Sequence, residues 1–166
     1  MLYDEEEFSF EIVESASGDF TVRANTVLIA DYAFEYCGEL SSITIPASVK
    51  YIGTDAFLDC TSLESITVDE NSSSYISVDG VLFDKEKTEL IKYPALKDDA
   101  EYTVPSTVVS IITSAFQHNP NITSVVIPNN VEYVQSYAFS NCVNLKTVTL
   151  SNVLEEIDDY TFYGCE

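Results

Sequence analysis

A β-rich solenoid, made by stacking short units along one axis, is the fold class this sequence predicts, and three observations predict it. The dipeptide Ala-Phe recurs at Ala33-Phe34, Ala56-Phe57, Ala115-Phe116 and Ala138-Phe139, with Thr161-Phe162 as a weaker copy. One and the same step leads from Phe34 to Phe57, from Phe116 to Phe139 and from Phe139 to Phe162, and a single longer interval parts Phe57 from Phe116. A fixed period of roughly 20 to 50 residues is the mark of stacked repeats. Around one copy, the stretch SSITIPASVKYIGTDAFLDCTSL (residues 41–63) holds a whole unit. Its apolar positions Leu40, Ile43, Ile45, Val49, Ile52, Ala56 and Phe57 are answered in the next unit by Leu63, Ile66 and Val68. Finally, the alternation in Ile43-Thr44-Ile45 points two side chains inward and one outward, as a short strand does. Pro46 then removes a ladder donor and ends that strand.

Adding the period carries the strand position to Phe20-Thr21-Val22, Ile43-Thr44-Ile45, Ile66-Thr67-Val68, Tyr102-Thr103-Val104, Val125-Val126-Ile127 and Val148-Thr149-Leu150. Six parallel strands are expected, evenly spaced except for one longer step between Val68 and Tyr102. A unit this short cannot bury its apolar edge alone, so its stability comes from its neighbours.

Taken in order, residues 1–22 read as an N-terminal β-hairpin cap. Phe8, Phe10 and Ile12 alternate, Ser15-Ala16-Ser17-Gly18-Asp19 turns, and Phe20 and Val22 alternate again. The first strand of that hairpin would cover an open end of the array. Residues 23–166 read as the repeats. Val27, Ile29, Val49 and Ile52 point inward on the return limb, and Gly38 and Gly53 mark turns. Segments such as Tyr32-Ala33-Phe34-Glu35-Tyr36 are too brief for a stable α-helix and are expected to form a single helical or 3₁₀ turn. Residues 69–101 read as a variant unit with an inserted hairpin. A polar loop (69–74) leads to a strand around Val78 to Phe83, a charged turn (84–88) and a strand around Glu89 to Tyr93, which replace the Ala-Phe turn.

The pattern L-x-x-I-x-I-P-x-x-V-x-x-I-x-x-x-A-F-x-x-C runs from Leu40 to Cys60 and returns from Tyr102 to Asn119, with Asn119 in the Cys position. It resembles the BspA-like subclass of bacterial leucine-rich repeats. Val78-Asp79-Gly80-Val81-Leu82-Phe83-Asp84 followed by Leu90-Ile91-Lys92-Tyr93-Pro94 is similar to a hairpin-bearing variant repeat of that family. The resemblance covers residues 20–166. It implies a right-handed leucine-rich-repeat superhelix, an extracellular or cell-surface setting, and adhesion or partner binding with no catalytic residues.

Composition narrows the partners. With 28 Asp and Glu against seven Lys and Arg, the formal charge is −21, which repels nucleic acid backbones and anionic lipid headgroups. Apolar residues make up 46% of the chain, enough to form a continuous core. No apolar run reaches the length of a transmembrane helix, and residues 1–7 lack the basic and apolar regions of a signal peptide. The final unit stops partway, at Cys165-Glu166, which fits a piece of a larger surface protein.

Four cysteines, Cys37, Cys60, Cys142 and Cys165, each stand at the same short distance after the repeat Phe, and Asn119 takes that place in the remaining copy. Equal placement points to a structural slot holding free thiols with a weak backbone contact. A disulfide between neighbouring copies stays open. The spacing excludes a C-x-x-C zinc site, and no metal or other cofactor is expected.

No catalytic constellation stands out. His118 is the one histidine, in a turn beside Asn119-Pro120. Candidate ligand-binding residues come instead from the outward strand positions. Thr21, Thr44, Thr67, Thr103 and Thr149 form one column, interrupted by Val126, and Ser42, Ser65, Ser124 and Thr147 form a second. They serve either β-propensity on an exposed face or recognition of a neutral glycan or protein on a concave surface. The variant hairpin adds Lys85, Lys87, Lys92 and Tyr93 as a docking place for an acidic partner. Eleven tyrosines, among them Tyr32, Tyr36, Tyr137, Tyr160 and Tyr163 around the Ala-Phe turns, either cover the core edge or form a recognition rim. A monomeric, non-enzymatic binding module is the expected function, with a structural spacer or an intracellular scaffold as alternatives.

Overall fold

The computed structural model describes residues 2–4, 9–11 and 16–166. Along the chain the strands are β1 (Leu2–Asp4), β2 (Ser9–Glu11), β3 (Gly18–Thr21), β4 (Thr26–Ile29), β5 (Leu40–Ile45), β6 (Tyr51–Ile52), β7 (Ser65–Val68), β8 (Tyr75–Val78), β9 (Val81–Asp84), β10 (Glu89–Lys92), β11 (Glu101–Thr103), β12 (Ser110–Ile111), β13 (Ser124–Val126), β14 (Tyr133–Val134) and β15 (Thr147–Thr149). Each coil of the solenoid contributes a front strand, a short return strand and an outer turn. The six front strands fall where the period places them. They form two three-stranded parallel sheets, β3-β5-β7 and β11-β13-β15, rather than one six-stranded ladder. Register follows the repeat, with Thr21 opposite Thr44 opposite Thr67, and Thr103 opposite Val126 opposite Thr149.

The return limbs also fall into two groups. One sheet has the order β2-β1-β4-β6 and the other β14-β12-β10-β9-β8. The N-terminal hairpin differs from the expectation. Strand β2, which contains Phe10, pairs antiparallel with β1, and β1 pairs antiparallel with β4, so these strands extend the return limb instead of pairing with the Phe20 strand. The edge of β4 was the open one, and buried Leu2 closes it. Phe8 and Ile12 lie outside the described residues.

The outer turns hold no helix. In the first unit Ala33 N, Glu35 N and Cys37 N donate to the carbonyls of Ala30, Tyr32 and Phe34, but Tyr32 (φ 56°) and Tyr36 (φ 59°) are left-handed, which prevents a helix from propagating. The same pair of left-handed positions recurs at Asp55 and Asp59, Ser114 and His118, Tyr137 and Asn141, and Tyr160 and Gly164. This conformation turns every second N–H along the solenoid axis. Tyr32, Phe34 and Tyr36 thus donate to Thr54, Ala56 and Leu58 of the next coil, and Ser114, Phe116 and His118 donate to Ser136, Ala138 and Ser140. Successive regular coils are hydrogen-bonded on all three sides.

Beneath the turns runs an aromatic column. Phe34 and Phe57 stack with centroids 5.6 Å apart, Tyr93 and Phe116 at 4.7 Å, Phe116 and Phe139 at 4.7 Å, and Phe139 and Phe162 at 5.5 Å. Lys92-Tyr93 therefore occupies the Ala-Phe position of the variant coil, and Tyr93 N donates to Ala115 O as Phe34 N does to Ala56 O.

The variant unit is a three-stranded meander. Val78 to Phe83 is not one strand: Asp79 (φ 50°) and Gly80 (φ 78°) make a two-residue turn between β8 and β9, with Val78 opposite Val81. Two positive φ values are the requirement of a type I′ turn, which Asp-Gly suits. The hairpin is a wedge between two halves of the core. Leu82 packs with the N-terminal half, while Val81 and Phe83 pack with the C-terminal half.

Candidate binding surface

The front ladders present the outward residues that the period predicts. Thr21, Thr44, Thr67, Thr103, Val126 and Thr149 are all exposed, and Ser42, Ser65 and Ser124 are half-buried beside exposed Thr147. Inward neighbours such as Ile43, Ile66 and Val125 are at most 1% exposed. They fix the strands, and with them the positions of the hydroxyls. Register brings Ser42 opposite Ser65 and Ser124 opposite Thr147. The hydroxyl columns are two separate blocks, because the variant unit parts β7 from β11.

Each serine column begins with a carboxylate. Asp19 lies opposite Ser42, whose Oγ donates to Asp19 Oδ1 at 2.7 Å, and Glu101 lies opposite Ser124. Sequence reasoning missed these two acids. One repeat step back from Ser42 and from Ser124 finds both.

The hairpin residues divide. Tyr93, expected at the surface, is completely buried, and its hydroxyl donates to Asp99 Oδ2 at 2.9 Å. Burial and the Asp99 carboxylate both hold that phenol well above its ordinary pKa. Lys92 is 5% exposed and donates to Ser114 O at 2.9 Å. Neither residue can meet a partner, because the variant coil spends both on the core column. Lys85 and Lys87 are half-buried on the β9–β10 turn, which is closed by Asp84 accepting from Thr88 Oγ1 at 2.7 Å and Glu89 N at 2.6 Å.

His118 is not a free surface group. Its Nε2 donates to Asp59 Oδ1 at 2.7 Å, joining the turns on either side of the variant coil. The tyrosines resolve by exposure: Tyr32, Tyr36, Tyr137, Tyr160 and Tyr163 all stand outside the core, with Tyr36 at 72%, and Tyr137 and Tyr160 stack at 5.1 Å.

The cysteines are free thiols that serve the slot structurally. Cys60, Cys142 and Cys165 donate to the carbonyl of the preceding repeat Phe, at 3.1 to 3.2 Å. Burial pushes the thiols of Cys60 and Cys142 up to about 12. Asn119 follows the variant coil, where the backbone runs differently. Its Nδ2 reaches both Pro94 O and Lys97 O, and its Oδ1 accepts from Asn121 N and Ile122 N. A thiol has too few hydrogen-bonding atoms for all of those contacts.

Solved structures share this architecture. A leucine rich cell surface protein from Faecalibacterium prausnitzii is 30% identical, with 90% of this chain and 45% of that one covered and a TM-score of 0.77. The pneumococcal vaccine antigen PcpA is 30% identical over 89% of this chain and 42% of its own, with a TM-score of 0.79. A leucine-rich repeat protein from Eubacterium ventriosum is 28% identical, covering 89% and 46%, with a TM-score of 0.74. This chain thus spans less than half the length of each of these proteins. No curated protein matches it. The family described as BspA type leucine rich repeat region matches residues 6–99 and 27–166 in six copies. With the period, the three hydrogen-bonded sides and the aromatic column all in agreement, the chain belongs to the BspA type leucine-rich-repeat family.

Proposed function

We propose that the chain is a non-catalytic binding module of a cell-surface protein, and that it docks a protein or glycan partner on its front ladders. The observation that carries this reading is the paired register of hydroxyls, exposed threonines beside half-buried serines headed by Asp19 and Glu101, on two hydrogen-bonded parallel sheets. Such a face offers donors and acceptors at fixed spacing with little ordering cost. The hairpin lysines are a weaker candidate, since Lys92 and Tyr93 are buried and each remaining lysine adjoins an acid, Asp84 or Glu86.

A glycan and matrix-protein array identifies the partner. Thr44→Tyr/Thr67→Tyr is then expected to weaken binding about tenfold or more, the scale of one lost anchor, while Lys85→Glu/Lys87→Glu leaves it unchanged. The opposite pattern moves the site to the hairpin. If the array shows no binding at high micromolar concentration, the molecule is better read as a spacer that holds another domain away from the surface.

A further inference from the structure

The boundary between the second regular coil and the variant coil interrupts all three sides of the solenoid. Front strand β7 and return strand β6 each end a sheet there. Among the described residues the turn bonds that link Phe34 to Ala56 and Phe116 to Ala138 are not continued from Phe57 to the Lys92 level. Other contacts cross instead: Ile52 N donates to Tyr75 Oη at 2.8 Å, Val68 N to Ser77 Oγ at 2.9 Å, Ile66 N to Gly80 O at 2.9 Å, and Leu96 N to Leu63 O at 2.7 Å.

A cavity of about 20 Å³ lies at this seam. Ile52, Phe57, Ile91 and Ile112 give it apolar walls, and two charged residues, Lys92 and Asp55, also line it. Lys92 stands in the position held by Ala33, Ala56, Ala115 and Ala138 in other coils, and donates one bond, to Ser114 O. An ammonium has three protons to donate. Asp55 Oδ1 is buried and accepts no bond within the protein. The two groups share the cavity without a direct ion pair among the described residues.

We propose that this partly open cavity is a binding site for one ordered water molecule, which accepts from Lys92 Nζ and donates to Asp55 Oδ1. The space exceeds the roughly 10 to 15 Å³ that one water needs, and the water would meet polar partners on two sides, the condition that separates a hydrated cavity from a dry one. The site gives Lys92 a second acceptor and Asp55 Oδ1 its first donor, where an alanine at the Lys92 position would have needed neither. It also tethers the second coil to the variant coil at the level where backbone bonds fail. Burial pulls the Lys92 pKa down, and the nearby Asp55 and Asp59 carboxylates oppose that shift.

A crystal structure of the unaltered protein at a resolution that shows ordered water tests the site. A peak within hydrogen-bond distance of both Lys92 Nζ and Asp55 Oδ1 is expected, and Lys92→Met should abolish it. An empty cavity, or a cavity closed by a direct Lys92–Asp55 contact, overturns the proposal. Melting temperatures of Lys92→Met, Asp55→Ala and the double variant give a second reading that needs no crystal. Groups joined through a shared water are coupled, so the double shift should fall short of the summed single shifts. Strictly additive shifts contradict the bridge.

Discussion

Cys60 and Cys142 each sit beneath a turn, with the thiol donating to the carbonyl of a phenylalanine one coil back. Burial raises both from 9.0 to about 12, so the folded protein keeps its protons at a pH where the unfolded chain has lost them. Stability from these groups is therefore complete below about pH 9 and declines as pH rises toward 12, by a few kcal/mol at most. Denaturation midpoints measured from pH 8 to 11 should fall, and the fall should be shallower in Cys60→Ala/Cys142→Ala. Equal slopes would mean that the thiols do not titrate differently on folding. Tyr75, Tyr93 and Tyr102, all raised first by burial, supply a residual slope in the same direction. In the aromatic column, Phe116 is stacked on both faces at 4.7 Å, whereas Phe162 has one stacked neighbour and is half-buried. Phe116→Ala is expected to cost about 3 to 5 kcal/mol and Phe162→Ala much less. Comparable losses in urea titrations would refute a column stabilised by its neighbours.

At the scale of the element, the outer turn shows how a sequence with no helix-length segment still satisfies its backbone. Two left-handed residues per turn reorient alternate N–H groups toward the next coil, a conformation that costs a bulky side chain roughly 1 to 2 kcal/mol. Tyr32, Tyr36, Tyr137 and Tyr160 adopt it all the same. The β8–β9 turn is the other strained element. Gly80 has φ +78°, and a Cβ placed there would lie 3.2 Å from Ser65 Cβ. Gly80→Ala is expected to destabilise the protein by about 1 to 3 kcal/mol, since the turn conformation and the seam contact to β7 suffer together. A midpoint unchanged within error would show that the meander is not pinned by its turn.

Over the whole molecule, the wedge is expected to divide the solenoid into two cooperative blocks. The front sheets and the return sheets divide at the same level, and the two core clusters meet within the wedge, where Leu82 joins one and Val81 and Phe83 the other. Repeat arrays unfold according to the strength of the interfaces between units, and here the weakest interface is the seam. Native-state hydrogen exchange in increasing urea should release the amides of 40–68 and 101–149 in two separate groups. Loss of protection in one step across both ranges would show that the scattered contacts at the seam are as strong as a continuous backbone ladder.

The repeat period determined the fold by itself. Once the positions of Ile43, Val49, Ala56 and Phe57 recur at equal steps, only stacked coils can bury them all, and both strand positions and outward hydroxyls follow by addition. The thiol slot was equally legible, because a residue repeated in the same place faces the same neighbour in every coil. What the sequence left open was whatever depends on the level above or below. Asp79-Gly80 carried a readable turn signal, yet the break in the ladders arises from how the meander wedges between β7 and β11. Tyr93 looked like a surface aromatic until stacking on Phe116 placed it in the column. Lys92 and Asp55, far apart in sequence, line one cavity. Local pattern fixes which face a residue occupies within its own coil. Contacts between coils at an irregular step depend on the three-dimensional path of the insertion, and only the tertiary structure supplies that path.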